Sequence, residues 1–239
     1  MFLKIVSEGV IPLFFQGSAA AYASFAAGYV LIALIAYLLG SINFALVISS
    51  GKFKDDIRSH GSGNAGTTNM MRTYGKSAAV MTILGDALKA VVAIFIGWCI
   101  MGMHFGGGYL AALLCIVGHV YPCYFKFKGG KGVVTSAVAV LMLNPPIFLI
   151  IITVFILVVI TTRYISLGSV IGAALYPLLI YVTVPVRSRG FAFLFAFIIA
   201  CFVIYLHRDN LKRLAHGTES KFSFKSKNQS ENKTEKNEK

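Results

Sequence analysis

Long stretches with few or no charged residues alternate with short polar stretches along this chain. Each of six apolar stretches is long enough to cross the roughly 30 Å apolar core of a membrane as a helix, which takes about 20 residues. These stretches are residues 9–51, 77–103, 105–124, 132–162, 164–186 and 190–206. Within the first of them we expect one full span at 26–48. The pattern therefore predicts an all-α integral membrane protein.

The stretch 132–162 is longer than one span needs, and it contains Asn144-Pro145-Pro146, which disfavours an unbroken helix. We therefore predict a hairpin of two spans here. With this hairpin, 18 of the 22 Lys and Arg residues fall on one side of the membrane, in residues 51–76, 125–131, 163 and 207–239. Lys and Arg accumulate in cytoplasmic loops. We thus predict seven transmembrane helices, with the N-terminus outside and the C-terminus in the cytoplasm.

The composition excludes an ordinary soluble enzyme. Of the 239 residues, 57% are hydrophobic and 13% are charged, whereas soluble domains carry about 25% charged residues. The net charge of +13 often indicates nucleic acid, but in a multi-pass chain it fits cytoplasmic loops or phosphate-bearing substrates better, and we expect no nucleic-acid partner. We expect an N-terminal extension at 1–24, a membrane domain at 25–219 and a disordered polar tail at 220–239.

The first polar stretch with candidate chemistry runs from Arg58 to Arg72, between two predicted spans. Its glycines Gly61, Gly63 and Gly66 allow a ligand to approach the backbone closely, and Arg72 offers a planar pair of donors suited to phosphate. The alternative is a turn followed by a capped helix, which the same residue types favour. Further donors and acceptors come from hydroxyl and amide side chains, namely Ser62, Asn64, Thr67, Thr68 and Asn69.

The second polar stretch, Gly118–Gly132, ends in Gly129-Gly130-Lys131-Gly132 immediately before an apolar segment. Free backbone N–H groups at the start of a helix, together with a lysine, form an anion-binding site. The alternative is a lysine that extends from a helix start toward the membrane surface. The pattern is not the phosphate-binding loop of nucleotide-binding proteins.

The third polar stretch, 207–219, begins where the last apolar segment ends. His207 and Asn210 are three residues apart and share one face if the helix continues. The alternative is the basic end of a final span in contact with lipid headgroups. Within the second apolar stretch, Asp86 and Lys89 have the same spacing. Charges inside a span suggest function, and mutual pairing near the membrane face is an equally good structural explanation.

These stretches together resemble the bacterial acyl-phosphate:glycerol-3-phosphate acyltransferase family (PlsY), from about Tyr29 to Glu219. The matching pieces are GSGNAGTTNMMR (61–72), GHVYPCYFKFKGGKGVVTS (118–136), RYISLGS (163–169) and HRDNLKRLAHGTE (207–219). The resemblance implies a seven-helix enzyme of the bacterial plasma (inner) membrane, with short re-entrant-like or broken helices near an active site that faces the cytoplasm. It implies transfer of a fatty acyl chain from acyl phosphate to the 1-hydroxyl of sn-glycerol 3-phosphate. The products are lysophosphatidic acid and phosphate, in the first step of phospholipid synthesis.

The resemblance also implies roles for individual residues. It implies no metal and no cofactor, and it implies four partners: acyl phosphate, glycerol 3-phosphate, membrane lipid and an enzyme that produces acyl phosphate. Catalytic roles fall on Ser62, His207 and Asn210. Phosphate binding falls on Arg72, Lys131, Gly129, Gly130, Gly132, Thr68 and Asn69, and structural support on Asn64, His119 and Glu219.

Acyl phosphate is a mixed anhydride with a good leaving group, so the chemistry needs little nucleophilic help, and positioning can supply much of the rate. The proton of the attacking hydroxyl can pass to the donor's own phosphate or to His207. A small anion or phosphate transporter is the alternative function, and a lipid-binding scaffold is another. A transporter should carry basic residues along a path through the membrane, whereas this sequence gathers them in loops on one predicted face.

Overall fold

A computed structural model describes residues 2–14, 19–104 and 106–222, and in these residues the regular secondary structure is entirely helical. Single 3₁₀ turns occur at Ile57–Ser59 and Cys123–Phe125. The α-helices are α1 (Phe2–Glu8), α2 (Val10–Phe14), α3 (Ala19–Ser41), α4 (Phe44–Lys52), α5 (Thr67–Tyr74), α6 (Lys76–Met101), α7 (Gly107–Val120), α8 (Val133–Leu143), α9 (Pro145–Thr162), α10 (Ile165–Thr183), α11 (Val186–Leu206) and α12 (Arg208–Ala215).

Six helical segments in the described part of the chain are long and apolar enough to cross a membrane. They are Tyr22–Lys52, Lys76–Met101, Gly107–Phe125, Pro145–Thr162, Ile165–Thr183 and Arg189–Leu206. Helix α8 is also apolar but has only 11 residues, which gives it a length of about 16 Å. The prediction of an all-α protein with membrane-spanning helices is therefore confirmed.

The first predicted span, 26–48, is not one continuous helix, because α3 ends at Ser41 and α4 begins at Phe44. Asn43 is fully buried at this break, and its Oδ1 atom accepts a hydrogen bond from the backbone N–H of Leu46 at 3.2 Å, which caps α4. The carbonyl groups of Gly40 and Ile42 accept hydrogen bonds from the ammonium group of Lys89 at 2.9 and 2.7 Å. Side chains thus satisfy the backbone groups that the break leaves free.

The predicted break in 132–162 is confirmed, because α8 ends at Leu143 and α9 begins at Pro145. Proline fits the first position of a helix, where its missing N–H is not needed. Asn144 accepts a hydrogen bond from the hydroxyl group of Tyr176 at 2.8 Å and approaches that of Tyr109. The break between α8 and α9 therefore lies beside Tyr109, near the start of α7.

The core of the bundle lies between α6, α7, α10 and α11, with Ile94, Ile116, Tyr176 and Ala196 fully buried at its centre. Helices α3 and α7 pack backbone against backbone, because a side chain at Gly40 or Gly118 would overlap main-chain atoms of the other helix. The predicted extension, 1–24, contains α1 and α2, and the first of these packs against the end of α6.

Candidate active site

The loop before α5 is shaped by the side chain of Asn69, which is 1% exposed. Its Oδ1 atom accepts a hydrogen bond from the backbone N–H of Ser62 at 3.0 Å, and its Nδ2 atom donates to the carbonyl groups of Ile57 and His60 at 3.1 and 2.9 Å. Gly61 has a φ of 56° and lies so close to Asn69 that a Cβ atom would overlap the amide. Asn69 therefore holds the loop in a tight turn, and Ser62 is exposed at its tip.

Arg58 connects this first loop to the second one. Its Nη1 atom donates hydrogen bonds to the carbonyl groups of Phe125 and Lys128, both at 3.1 Å. Asp56 forms a salt bridge with the other side of the guanidinium group at 2.7 Å. The sequence analysis gave Arg58 no role of its own, because its partners are backbone carbonyls about 70 positions away and leave no side-chain pattern.

The second loop lies against the end of α7. The backbone N–H groups of Gly129 and Gly130 donate hydrogen bonds to the carbonyl groups of Val120 and His119 at 3.0 and 3.2 Å. A Cβ atom at Gly130 would overlap both the imidazole ring of His119 and the carbonyl oxygen of Ala65. Glycine is therefore required here by a close approach between the first and second loops.

Gly132 ends the second loop with a φ of 69°, a left-handed conformation that favours glycine, and α8 begins at the next residue. This turn places Lys131 directly before the start of α8. The ammonium group of Lys131 donates a hydrogen bond to Oδ1 of Asn210. The amide nitrogen of Asn210 donates in turn to Oε1 of Glu219 at 2.6 Å.

Glu219 is held by three donors from the third polar stretch and α10. Besides Asn210, the hydroxyl of Ser166 donates to Oε1 at 2.7 Å, and the guanidinium of Arg213 donates to Oε2 at 2.7 Å. Gly217, with a φ of 67°, reverses the chain after α12 so that Glu219 returns to these partners. Burial alone would raise the pKa of Glu219, but the hydrogen bonds from Asn210, Ser166 and Arg213 outweigh it and lower this pKa below its usual value.

Burial lowers the pKa of Lys131 to about 8, and the positive charge of Arg213 adds to the effect. The hydrogen bond to Asn210 keeps the ammonium group in place. A substrate phosphate bound at Lys131 would therefore contact an ammonium group that is already partly desolvated.

His207 follows the last residue of α11 as its C-cap and is 3% exposed. Its Nδ1 atom lies 2.8 Å from the carbonyl oxygen of Val203. Because a carbonyl can only accept, this contact assigns the ring proton to Nδ1 and leaves Nε2 as an acceptor. Burial lowers the pKa of His207, and the nearby charge of Lys131 lowers it further, so the imidazole is neutral at pH 7.

The remaining predicted site residues lie around this centre. Arg72, in the last turn of α5, is partly buried, and its Nη2 atom donates to the carbonyl of Ser220 at 3.2 Å. Thr68 is partly buried in the first turn of α5, and Asn64 is partly buried beside Gly66. The structure thus brings Lys131, His207, Asn210 and Glu219 into one cluster, to which Arg72 is joined through Ser220.

Two further residues of this region escaped the sequence analysis. Ser166 was visible only as part of the segment 163–169, and Arg213 only as part of a basic helix. Both bind Glu219. The available signal was the acidic residue Glu219, which follows a basic segment and needs partners if it is buried.

Several known proteins are similar to this chain in sequence. The family model described as Glycerol-3-phosphate acyltransferase matches residues 30–217. The glycerol-3-phosphate acyltransferase of Clostridioides difficile is 44% identical over 201 residues, which cover 82% of this chain and 97% of that protein. That of Thermoanaerobacter pseudethanolicus is 41% identical over 196 residues, with 82% and 96% covered.

Two solved structures of PlsY (YgiH), an integral membrane glycerol 3-phosphate acyltransferase, are similar to this fold. The glycerol 3-phosphate form has a TM-score of 0.75 and the lysophosphatidic acid form one of 0.72. Each is 34% identical and covers 82% of this chain and 96% of the other. With the family model matching most of the chain and the relatives covered nearly in full, the chain belongs to the glycerol-3-phosphate acyltransferase family.

Proposed function

We propose that this membrane-embedded glycerol-3-phosphate acyltransferase takes its acyl group from acyl phosphate and passes it directly to the 1-hydroxyl of sn-glycerol 3-phosphate. Lysophosphatidic acid and inorganic phosphate are the products. The acceptor and product are supported by the solved relatives in their glycerol 3-phosphate and lysophosphatidic acid forms. The cluster of Lys131, Asn210 and Glu219 carries the proposal, because it fixes a partly desolvated cation where the second and third polar stretches meet.

Two phosphate groups enter this reaction, one on each substrate, and we assign Lys131 and Arg72 to them. The backbone of Gly129, Gly130 and Gly132 supports the lysine side of the site, since it sets the turn before α8. Thr68 adds a hydroxyl group at the start of α5. Charge-assisted hydrogen bonds to phosphate oxygens are the strongest contacts that such groups make.

Ser62 and Asn69 act together in this proposal. Asn69 contributes by holding the Ser62 loop rather than through a free amide, since its side chain already has three backbone partners. Ser62, exposed at the tip of that loop, donates a hydrogen bond to a substrate oxygen. Asn64, His119 and Glu219 support the surrounding loops.

The attacking hydroxyl group must lose a proton. The phosphate of the donor can take it as the mixed anhydride breaks, because that phosphate becomes the leaving group. His207 is the second candidate, since its Nε2 atom is free to accept and its lowered pKa keeps the ring neutral at pH 7. In either case catalysis consists mainly of holding both substrates in the reactive geometry.

We also propose seven crossings, with α8 counted as the short one and the active site on the cytoplasmic face of the bacterial inner membrane. One end of α8 adjoins Lys131 and the other adjoins Asn144, which contacts the start of α7, so α8 runs from one end of the bundle to the other. The excess of Lys and Arg on the side of the active site supports a cytoplasmic location. The N-terminus then lies outside, and residues 25–219 form the membrane domain between the extension, 1–24, and the tail, 220–239.

The donor can be tested with the purified protein, radiolabelled glycerol 3-phosphate and one acyl donor at a time. Palmitoyl phosphate should give labelled lysophosphatidic acid, whereas palmitoyl-coenzyme A and palmitoylated acyl carrier protein should give none. A product formed only from a thioester would contradict the proposal.

A working enzyme of this kind depends on another enzyme that produces acyl phosphate. A transporter is not favoured, because the basic side chains gather at one end of the bundle.

A further inference from the structure

A buried polar cluster of Asp86, Lys89 and His119 lies beneath the active-site loops. The three residues are at most 4% exposed, on α6 and at the end of α7. The ammonium group of Lys89 lies 2.9 Å from Oδ1 of Asp86 and 3.0 Å from Nδ1 of His119. It also donates to the carbonyl groups of Gly40 and Ile42 at the break between α3 and α4.

An ammonium group has three N–H donors and no lone pair, and the carbonyl groups of Gly40 and Ile42 and the carboxylate of Asp86 can accept all three. The Nδ1 atom of His119 lies 3.0 Å from the ammonium group and 3.4 Å from Oδ1 of Asp86, so the ring contacts both members of the ion pair. A charged pair within a membrane-spanning helix is costly unless its partners are as complete as these.

Both the ring and the backbone of His119 connect the cluster to the loop that carries Lys131. The ring lies against Gly130, where a Cβ atom would overlap it. The carbonyl of His119 accepts hydrogen bonds from the backbone N–H of Gly130 at 3.2 Å and from Nδ2 of Asn43 at 3.5 Å. Asn43 also donates to the carbonyl of Ala65 in the first loop at 3.3 Å. The orientation of His119 therefore fixes the backbone immediately before Lys131.

We propose that Asp86, Lys89 and His119 are positioning residues that set the place of Lys131 for the phosphate of glycerol 3-phosphate. Lys89 fixes the imidazole ring, and the ring fixes Gly130. None of the three touches the substrate in this scheme. The inference rests on the proposed phosphate-binding role of Lys131.

Two matched substitutions of His119 test the two contacts of the ring. His119→Asn keeps an amide near the place of Nδ1, within reach of Lys89, but removes the ring atoms that lie against Gly130. His119→Gln moves the amide toward the place of Nε2, beside Gly130, and away from Lys89. We expect each variant to raise the KM for glycerol 3-phosphate at least tenfold with a change in kcat below threefold. A KM within threefold of the wild type in either folded variant would overturn the proposal.

Tyr176→Phe serves as a control for lost stability alone. It removes one buried hydrogen bond, to Asn144, at the opposite end of the bundle. We expect it to lower the melting temperature and leave the KM for glycerol 3-phosphate within twofold. A tenfold rise in this KM would show that any destabilisation has the same effect, and the proposal would fail.

Lys131→Ala shows whether His119 acts through Lys131. In this background His119→Gln should change the KM less than threefold, whereas a further tenfold rise would overturn the inference. If His119→Gln does not fold, Gly130→Ala disturbs the same contact from the loop side. This variant should raise the KM for glycerol 3-phosphate tenfold, and an unchanged KM would again overturn the inference.

Direct binding of glycerol 3-phosphate, measured by calorimetry without any donor, separates this question from the choice of acyl donor. Wild-type binding with no acyl transfer would count against the proposed function alone.

Discussion

Lys131 donates a hydrogen bond to the side-chain oxygen of Asn210, although 79 positions separate the two residues. The amide nitrogen of the same Asn210 donates to Glu219. Only a side chain that accepts and donates at once can join a cation to a carboxylate in this way. The second and third polar stretches of the sequence therefore meet at this one amide.

Replacing Asn210 by Asp should remove the hydrogen bond that Asn210 donates to Glu219. A carboxylate can still accept from Lys131, but it cannot donate to Glu219, and it places two acidic groups in contact. We expect kcat/KM for glycerol 3-phosphate to fall at least tenfold, measured by release of inorganic phosphate. Lys212→Gln, an exposed change on the same helix, is the control and should stay within twofold. Equal activity of both variants would contradict the role given to Asn210.

Much of this fold follows from local features of the sequence. The Pro pair at 145–146 predicts the break between α8 and α9, since proline cannot continue a helix without losing a hydrogen bond. The spacing of Asp86 and Lys89 allows an ion pair as one of two interpretations, and the structure has this pair at 2.9 Å. The resemblance of short segments also names His207, Asn210 and Glu219 as site residues, and the structure has all three near Lys131.

Contacts across the bundle could not be predicted in the same way. His119 joins the Asp86–Lys89 pair from another helix, and the carbonyl groups of Gly40 and Ile42 come from a third. Such contacts depend on how closely α3 and α7 pack, which periodicity along one helix does not reveal. For the same reason the break at Asn43 was missed, because an apolar segment gives no sign that distant side chains will satisfy its backbone.

Binding of glycerol 3-phosphate should weaken at high pH. The pKa of Lys131 is lowered to about 8 by burial, so the charged form dominates below that pH and is lost above it. The substrate phosphate is a dianion throughout this range, since its second pKa is near 6. We expect the KM for glycerol 3-phosphate to rise severalfold between pH 7.5 and 9.5 in steady-state assays.

Lys131→Arg provides the matched control for this pH profile. A guanidinium group stays charged up to a pH of about 12. The KM of this variant should therefore be higher than that of the wild type at neutral pH but nearly constant up to pH 9.5. If the KM for glycerol 3-phosphate rises with pH in both proteins, the titrating group is not Lys131.

Arg72→Lys tests whether the shape of the guanidinium group matters in addition to its charge. Lysine keeps the charge but loses the planar pair of donors. A charge-assisted hydrogen bond contributes about 1.5–3 kcal/mol, which corresponds to roughly a ten- to two-hundredfold change in an equilibrium constant. We expect kcat/KM to fall at least tenfold. Arg208→Lys, whose guanidinium group lies over the ring of Tyr205 at the surface, should stay within twofold.

Truncation should separate the tail from the active site. Glu219 anchors Asn210, Ser166 and Arg213, and the backbone of Phe222 donates to the carbonyl of Arg163 at 2.7 Å. A chain that ends after Phe222 should keep its activity within twofold, because residues 223–239 are polar apart from Phe224. A chain that ends after Thr218 should lose at least nine tenths of its activity, measured in the same assay. Loss of activity in a folded protein that ends at Phe222 would give the tail a role in catalysis.

Direct transfer between the two substrates is the central claim, and rapid-quench measurement with palmitoyl phosphate labelled in its acyl chain tests it. With glycerol 3-phosphate present, the label should move from palmitoyl phosphate to lysophosphatidic acid with no labelled protein at any time. Without glycerol 3-phosphate, the protein should remain unlabelled. An acyl ester on Ser62 that forms and decays as fast as turnover would contradict direct transfer, and consumption of palmitoyl phosphate without lysophosphatidic acid would contradict acyl transfer to glycerol 3-phosphate.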